Sequence, residues 1–326
     1  MLLAVAALAM TACSKSETEG VAPAAQTKAI GFDSHVNKSS RALSNASLTK
    51  FYVSGAYTTP TNSTPVQIFN NEEISKSGDL WSYTTEPRYW IKDANYVFHA
   101  YSDDNLKSEK ARTQGDAFTL TDYLVNATLQ KDLVYAYKTQ QGKETGNAKV
   151  AFDFKHVLTK VRFNFISAFP EGYKISIDEA ILFNFRDKGT FTGGESCGWN
   201  ETADRTADDV TIPVAVTATD LVKDATAVTS EYYMIPFAYT AQNVRFRFRL
   251  TVKNELGEQV YQNYRTASFK PTWIMGNAYQ YNVTLTGNAA GLQKIEFETD
   301  PNMNLDDWTT GTGDIEFSFG TDVPGN

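Results

Sequence analysis

Residues 245–250 read Arg-Phe-Arg-Phe-Arg-Leu, and this strict alternation of charged and apolar side chains decides the fold class. Successive side chains of a β-strand point to opposite faces of the sheet, whereas a helix returns to one face only every three to four residues. The arginines are therefore expected to face water, and the phenylalanines and the leucine to face a core. This pattern is typical of an antiparallel sheet that is solvated on one side.

Comparable runs of alternating, β-branched or aromatic residues recur from about Ala29 to the C-terminal end. Only residues 121–129 suggest a short helix or turn, with Thr121 as its cap. No strand alternates with a long amphipathic helix, so the sequence predicts an all-β fold rather than a doubly wound α/β fold. The predicted strands are residues 51–57, 66–69, 80–83, 96–101, 133–137, 150–154, 160–166, 175–185, 210–216, 231–236, 244–253, 259–264, 278–286, 295–299 and 315–319.

The length and composition of the chain indicate two domains. The chain has 326 residues, of which 42% are hydrophobic, and this is too long for one ordinary β-sandwich. The most polar interruption near the middle is the segment 140–149, which reads Gln-Gln-Gly-Lys-Glu-Thr-Gly-Asn-Ala-Lys. We place the boundary there, which gives an N-terminal domain at residues 29–147 and a C-terminal domain at residues 148–326.

The acidic balance of the chain argues against one class of partner. The formal net charge is −8. A protein that binds nucleic acid normally carries a basic patch that neutralises phosphates. The composition instead favours a self-repelling surface protein, and we predict no nucleic-acid partner.

The first residues have the character of an export signal. Residues 1–12 are apolar and about as long as the central part of a signal peptide, which is too short to span a bilayer. Small residues then lead to Cys13, as in bacterial lipoprotein signals, in which that cysteine is acylated. A basic beginning is missing, so we expect the natural start upstream of Met1; the alternative is an ordinary secretory signal with a chance cysteine. Residues 13–28 are polar and small and predict a flexible tether.

Catalytic and metal-binding patterns are weak. The histidines, His35, His99 and His156, have no metal-ligand spacing, and His156 is better interpreted as a structural residue. Cys197 lies in a glycine-rich loop that lacks a cysteine-protease signature. We therefore predict that the protein is not an enzyme and has no catalytic residue, cofactor or bound metal.

Three further motifs are better interpreted as structural. Ser47 and Lys50 have the Ser-x-x-Lys spacing of an acyl-enzyme motif, but that motif opens a helix and here it leads into a predicted strand. Residues 300–306 resemble the start of a calcium loop, but Leu305 replaces the expected glycine and Gly311 the expected glutamate. The tryptophans are either sugar-stacking platforms or, more often in proteins, core anchors. They are Trp81, Trp90, Trp199, Trp273 and Trp308.

Several segments taken together resemble the fimbrillin family of surface lipoproteins and its fimbrillin-like relatives. The resemblance covers most of residues 29–310 and rests on the order and spacing of the segments. The segments are Ile30-Gly31-Phe32, Ser40-Arg41-Ala42 and residues 48–55, 69–72, 81–83, 89–90, 96–101, 132–136, 150–161, 273–281 and 307–308.

The resemblance implies two tandem transthyretin-like antiparallel β-sandwich domains and export to the cell outer membrane as a lipid-anchored precursor. It also implies assembly by strand exchange, in which a protease removes the lipidated N-terminal strand and a strand of the next subunit fills the groove. By position, Arg41 matches the arginine after which the family is cleaved, and Ile30 and Phe32 then belong to the removed strand. The alternative is that Arg41 is an ordinary solvated residue.

The C-terminal segment 313–323 is the expected source of the replacement strand, because Ile315, Phe317 and Phe319 alternate with polar or charged residues. We therefore predict a structural or adhesive subunit of a cell-surface fimbrium. Its expected partners are other fimbrial subunits, the outer membrane through the lipid on Cys13, and a host protein or glycan. The alternative function is that of a monomeric surface lipoprotein that binds glycans or mediates adhesion.

Overall fold

The computed structural model describes residues 29–36, 44, 46–125, 130–200, 210–211, 218–238, 244–286, 295–299 and 309–310. Within these ranges the chain forms 23 β-strands and no α-helix, so the predicted all-β fold class is confirmed. The same ranges contain no helix of the length and hydropathy that crossing a membrane requires. The strands are β1 (Phe32–Val36), β2 (Lys50–Thr59), β3 (Asn62–Ser77), β4 (Leu80–Ser82), β5 (Asn95–Asp103), β6 (Ala111–Gln114), β7 (Ala117–Leu124), β8 (Leu133–Gln141), β9 (Val150–His156), β10 (Thr159–Ser167), β11 (Lys174–Phe183), β12 (Lys188–Thr192), β13 (Gly198–Trp199), β14 (Val210–Thr211), β15 (Thr226–Val228), β16 (Tyr232–Met234), β17 (Phe237–Ala238), β18 (Val244–Lys253), β19 (Gln259–Phe269), β20 (Thr272–Trp273), β21 (Asn277–Leu285), β22 (Ile295–Thr299) and β23 (Thr309–Thr310).

The N-terminal part is built on a seven-stranded sheet with the order β1-β9-β8-β5-β2-β3-β4. Its pairings are antiparallel except that of β1 with β9, which is parallel. The two end strands, β1 and β4, approach each other, so the sheet curls around one core. That core contains the completely buried rings of Phe51, Phe69, Phe98 and Phe152.

The opposite face of this sheet packs against a smaller sheet with the order β13-β12-β7-β6. Tyr101 and Tyr135 of the large sheet contact Phe118 and Phe191 of the small one, with ring centroids 5.5 Å and 5.0 Å apart respectively. The same apolar cluster includes Ile235 and other residues of the C-terminal part. This cluster therefore joins the two parts of the chain.

The C-terminal part has two larger sheets, with the orders β15-β10-β21-β22 and β14-β11-β18-β19, that share one core. In β18, Phe246, Phe248 and Leu250 are buried in that core. The intervening arginines lie on the other face and are exposed or half-buried. The strand predicted from the alternation of residues 245–250 is therefore confirmed.

The helix or turn predicted at residues 121–129 is wrong where the chain is described. Ala117–Leu124 form strand β7, which pairs with β6 and β12. Phe118 and Leu120 of this strand are buried. The local signal failed because pairing with a distant strand and burial of one face outweigh a weak helix cap.

Strand pairing is also not antiparallel throughout. Besides β1 with β9, β10 pairs in parallel with β21 from Lys160 opposite Ala278 to Ser167 opposite Leu285. Parallel neighbours need a long connection between them, so they join segments that lie far apart in the sequence.

The predicted domain boundary between residues 147 and 148 does not coincide with a break in the sheets. The strand β9, which follows it, pairs with β8 and β1 of the N-terminal sheet. The polar segment 140–149 comprises the last two residues of β8 and the connection 142–149 to β9, and the Asn147 side chain bridges it. Asn147 accepts the backbone N–H of Lys143 at 2.9 Å and donates to the carbonyl of Gln141 at 2.8 Å. The division into two domains stays a proposal, and β9 belongs with the N-terminal one.

Candidate functional site: the N-terminal edge strand

The strand β1 lies at one end of the seven-stranded sheet. Its five residues pair in parallel with β9, from Phe32 opposite Val150 to Val36 opposite Phe154. Within the described part of the chain, no second strand pairs with β1. It is therefore an edge strand that is bound to the sheet along one side.

The apolar side chains of this segment fill the N-terminal core. Ile30, Phe32 and Val36 expose only 1%, 1% and 0% of their surface. The ring centroid of Phe32 lies 5.1 Å from that of Phe69 in an edge-to-face contact and 5.8 Å from that of Phe152 in a stacked one. The segment thus occupies an aromatic groove between β9 and β4.

Residues 83–90, which we call the strap, hold the beginning of this segment from its other side. The backbone N–H of Ile30 donates to the carbonyl of Arg88 at 2.7 Å, and the hydroxyl of Tyr83 donates to the carbonyl of Ile30 at 3.0 Å. Ala29 forms an antiparallel bridge with Tyr89. Both backbone groups of Ile30 are therefore bound by the strap.

The structure brings together two of the residues predicted for strand exchange, Ile30 and Phe32. Sequence reasoning missed Val36, although it continues the two-residue spacing, and it missed Tyr83 and Arg88, for which no sequence pattern gives a signal. The other predicted site residues lie outside the described residues; they are Cys13, Arg41, Ile315, Phe317 and Phe319.

His99 belongs to a hydrogen-bond chain that links two strands and two loops. Its Nε2 lies 2.8 Å from the carbonyl of Asp116, which can only accept, so Nε2 carries the proton. Nδ1 then accepts from the hydroxyl of Tyr135 at 2.7 Å, and that hydroxyl accepts the N–H of Gly194 at 2.7 Å. Burial lowers the pKa of His99, which favours this neutral form. The arrangement is structural.

His156 and Asp132 form a buried pair, with Nδ1 and Oδ2 2.8 Å apart. Cys197 is half-buried, and burial raises the pKa of its thiol, which is the opposite of what a nucleophilic cysteine needs. Lys50 begins strand β2 and its Nζ lies 2.9 Å from Glu73, so the Ser-x-x-Lys spacing opens no helix here. Within the described residues, no group of three or more histidines, cysteines or carboxylates is arranged to hold a metal.

The tryptophans serve mainly as core residues. Trp81 and Trp90 expose 8% of their surface and Trp273 exposes 2%, so none of these three offers a flat face to a sugar ring. Trp199 is half-buried and donates its indole N–H to the carbonyl of Val157. Trp308 lies outside the described residues.

A model of the fimbrillin-like family matches residues 40–308 of the chain. The chain belongs to the fimbrillin-like family. The resemblance predicted from the sequence is therefore confirmed. The matched span begins just after β1 and includes β9 and the strap. None of the curated protein sequences compared with the chain matches it significantly.

Solved structures resemble this fimbrillin-like protein at low sequence identity. A fimbrial protein of Bacteroides vulgatus is 17% identical with a TM-score of 0.62, and the alignment covers 83% of this chain and 99% of that one. A Bacteroides ovatus protein assigned to cell adhesion is 18% identical (TM-score 0.48; 91% and 99% covered). The fimbrial anchor protein Mfa2 of Porphyromonas gingivalis is 11% identical (TM-score 0.34; 82% and 97% covered). The first of these likenesses supports the fold of the fimbrillin-like chain.

Proposed function

We propose that the protein is a structural or adhesive subunit of a cell-surface fimbrium and that it assembles by exchanging β1 for a strand of the next subunit. The observation that supports this proposal is the form of β1. It is short and paired with one strand, yet Ile30, Phe32 and Val36 are buried in the core. Such a segment can leave the sheet by breaking its pairing with one strand, but its departure exposes an apolar groove, which is energetically unfavourable.

The energetics of that groove favour a replacement strand. Loss of β1 removes the backbone partner of residues 150–154 and the ring that packs on Phe69 and Phe152. Burial of one large apolar side chain contributes about 1.5–3 kcal/mol, so an empty groove that once held three of them is strongly unfavourable. An extended strand with apolar residues at alternate positions restores both kinds of contact.

We place the cleavage that releases β1 after Arg41. The replacement is the C-terminal segment 313–323 of a neighbouring subunit, since Ile315, Phe317 and Phe319 repeat the two-residue spacing of Ile30 and Phe32. A contact between a C-terminal donor and an N-terminal groove does not close on itself, so it generates a filament.

The proposal also covers the location of the protein, its domains and its partners. The precursor is held at the cell outer membrane by lipid on Cys13, and removal of the N-terminal segment releases it for assembly. The two parts of the chain act as tandem transthyretin-like β-sandwich domains. The partners are other fimbrial subunits and a host protein or glycan, and the role is structural rather than catalytic.

The test is to treat purified protein with an Arg-specific protease and to follow particle size by light scattering. Oligomers are expected from the cleaved wild-type chain. They should be lost in Arg41→Ala and in a truncation that ends before Gly313. Arg112→Ala, which removes an exposed arginine of β6, is the matched control and should assemble like the wild type. If cleaved wild-type protein stays strictly monomeric, the proposal fails and a monomeric adhesion or glycan-binding lipoprotein describes the chain better.

A further inference from the structure

The strap binds the start of the N-terminal strand through Tyr83. The hydroxyl of Tyr83 donates to the carbonyl of Ile30 at 3.0 Å and accepts the backbone N–H of Arg88 at 3.3 Å. Its ring centroid lies 6.0 Å from that of Phe32 and 5.5 Å from that of Phe69. One side chain therefore contacts both the backbone and the largest apolar side chain of the segment that fills the groove.

Arg88 fixes the strap to the body of the protein rather than to β1. Its guanidinium lies over the rings of Phe69 and Tyr83, 4.7 Å and 5.8 Å from their centroids. It also donates to Thr85 Oγ1 at 2.6 Å and lies 3.4 Å from the carboxylate of Glu72 on β3. The hydroxyl of Thr85 donates to the same carboxylate at 2.9 Å. The position of Tyr83 and of the Arg88 carbonyl is thus set by contacts that do not involve β1.

The two edges of the N-terminal segment consequently differ. Along β9 it has the regular pairing of a strand, whereas the strap binds the backbone of its beginning, at Ala29 and Ile30. Contacts that fix one end of an edge strand add to the barrier for its release, because they must break before the whole strand can leave.

We propose that Tyr83 and Arg88 form a latch that controls how fast β1 leaves its groove. The role of the latch in assembly depends on the strand exchange proposed above. There, the latch sets the rate at which a cleaved subunit loses β1 and can bind the strand of a neighbour. The contacts of the latch with Ile30 are to backbone groups, so the latch also holds the first residues of any strand that takes the place of β1.

The decisive variant is Tyr83→Phe in the full chain, because it removes the hydroxyl and keeps the ring. Hydrogen exchange of the peptide that contains Ile30 and β1 is measured by mass spectrometry. Loss of the hydrogen bond to the Ile30 carbonyl should accelerate exchange there roughly five- to tenfold, without a comparable change in β18. Arg88→Lys, which keeps the charge near Glu72 but loses the planar stacking on Phe69, should have the same selective effect.

Tyr57→Phe is the matched control, since Tyr57 packs on the same core with Tyr96 as its ring partner and its hydroxyl is not a partner of Ile30. Its β1 peptide should exchange at the wild-type rate. If the β1 peptide exchanges at the same rate in Tyr83→Phe and in the wild type, the latch proposal is wrong. Uniform acceleration of all protected peptides would also contradict it, because that result indicates general destabilisation.

Assembly provides a separate measurement of the latch. The Tyr83→Phe variant keeps every arginine, so all sites of an Arg-specific protease remain. After Arg-specific cleavage, the variant should form oligomers several-fold faster than the wild type. If neither protein forms oligomers, the proposed function fails, and the exchange measurement still decides whether the latch exists. If both form oligomers at one rate, the latch does not control assembly.

Discussion

Phe163 on β10 and Phe246 on β18 stack face to face across the C-terminal core, with ring centroids 3.6 Å apart and ring planes within 2° of parallel. Both side chains are completely buried. They belong to the two sheets that share this core, so the pair is a direct link between those sheets. The stability of the C-terminal part should depend strongly on it.

Phe246→Ala should lower the free energy of unfolding by about 3–5 kcal/mol, because it removes a buried ring and leaves a cavity against Phe163. Denaturant unfolding followed by tryptophan fluorescence measures the change. Arg245→Ala, at the neighbouring exposed position of β18, should cost less than about 1 kcal/mol. Similar losses in the two variants would contradict the assignment of the strand faces.

Gly193→Ala should destabilise the protein by about 1–3 kcal/mol, because overpacking a filled site forces its neighbours to move. A Cβ at this position would lie 2.5 Å from the hydroxyl oxygen of Tyr135 and 2.9 Å from the ring of Phe118. The displaced hydroxyl would also weaken its bond to His99. Thermal unfolding tests this, with Gly198→Ala as the control, since a Cβ there meets no atom within 4 Å. An unchanged melting temperature for Gly193→Ala would show that the loop moves freely away from Tyr135.

Asp103→Asn should make the protein more stable than the wild type at neutral pH. Burial raises the pKa of Asp103, and Asp104 and Asp132 raise it further. The stabilising contribution of such a carboxyl is complete below its unfolded pKa of about 3.9 and is lost as the pH rises through its higher folded pKa. Asparagine still accepts the hydroxyl of Tyr123, which lies 3.0 Å from Asp103 Oδ1.

The advantage of Asp103→Asn over the wild type should therefore grow between about pH 4 and pH 7. Denaturant unfolding at several pH values in this range measures it. A constant difference between Asp103→Asn and wild type across the range would mean that Asp103 titrates alike in the folded and unfolded chain.

Cys13→Ala should move the protein from the membrane fraction to the soluble fraction of cells that express it, because the proposed lipid would have no attachment point. Immunoblotting of the two fractions measures this. Cys197→Ala, which removes the other cysteine, should stay in the membrane fraction. An unchanged distribution of Cys13→Ala would refute the lipid anchor.

Local patterns predicted those parts of the fold that depend on one strand. The alternation in β18 was sufficient because a strand at a core boundary must place every second side chain inside. The same spacing pointed to Ile30 and Phe32. The local helix signal at residues 121–129 was wrong at residues 121–124, where pairing with β12, far along the chain, decides the structure.

The rest of the candidate site depends on pairings that no local pattern records. The parallel pairing of β1 with β9 joins residues 32–36 to residues 150–154, and most of the N-terminal part lies between them in the sequence. The strap binds the backbone groups of Ile30, through the Arg88 carbonyl and the Tyr83 hydroxyl, and bonds to a residue's backbone leave no trace in its residue type. The segment 140–149 looked like a domain boundary because it is polar, but polarity marks a surface connection of any kind.

The parallel pairing of β1 with β9 gives the groove a polarity. Backbone donors and acceptors along β9 face those of β1 in the slanted, evenly spaced register of parallel strands, and a strand running the opposite way would need a different register. An occupant that keeps this register must begin beside Arg88 and Val150 and end beside Phe154. A fimbrium assembled through such grooves would have all its subunits pointing in one direction, so its two ends would be chemically distinct: one would present an empty groove and the other an unbound donor strand.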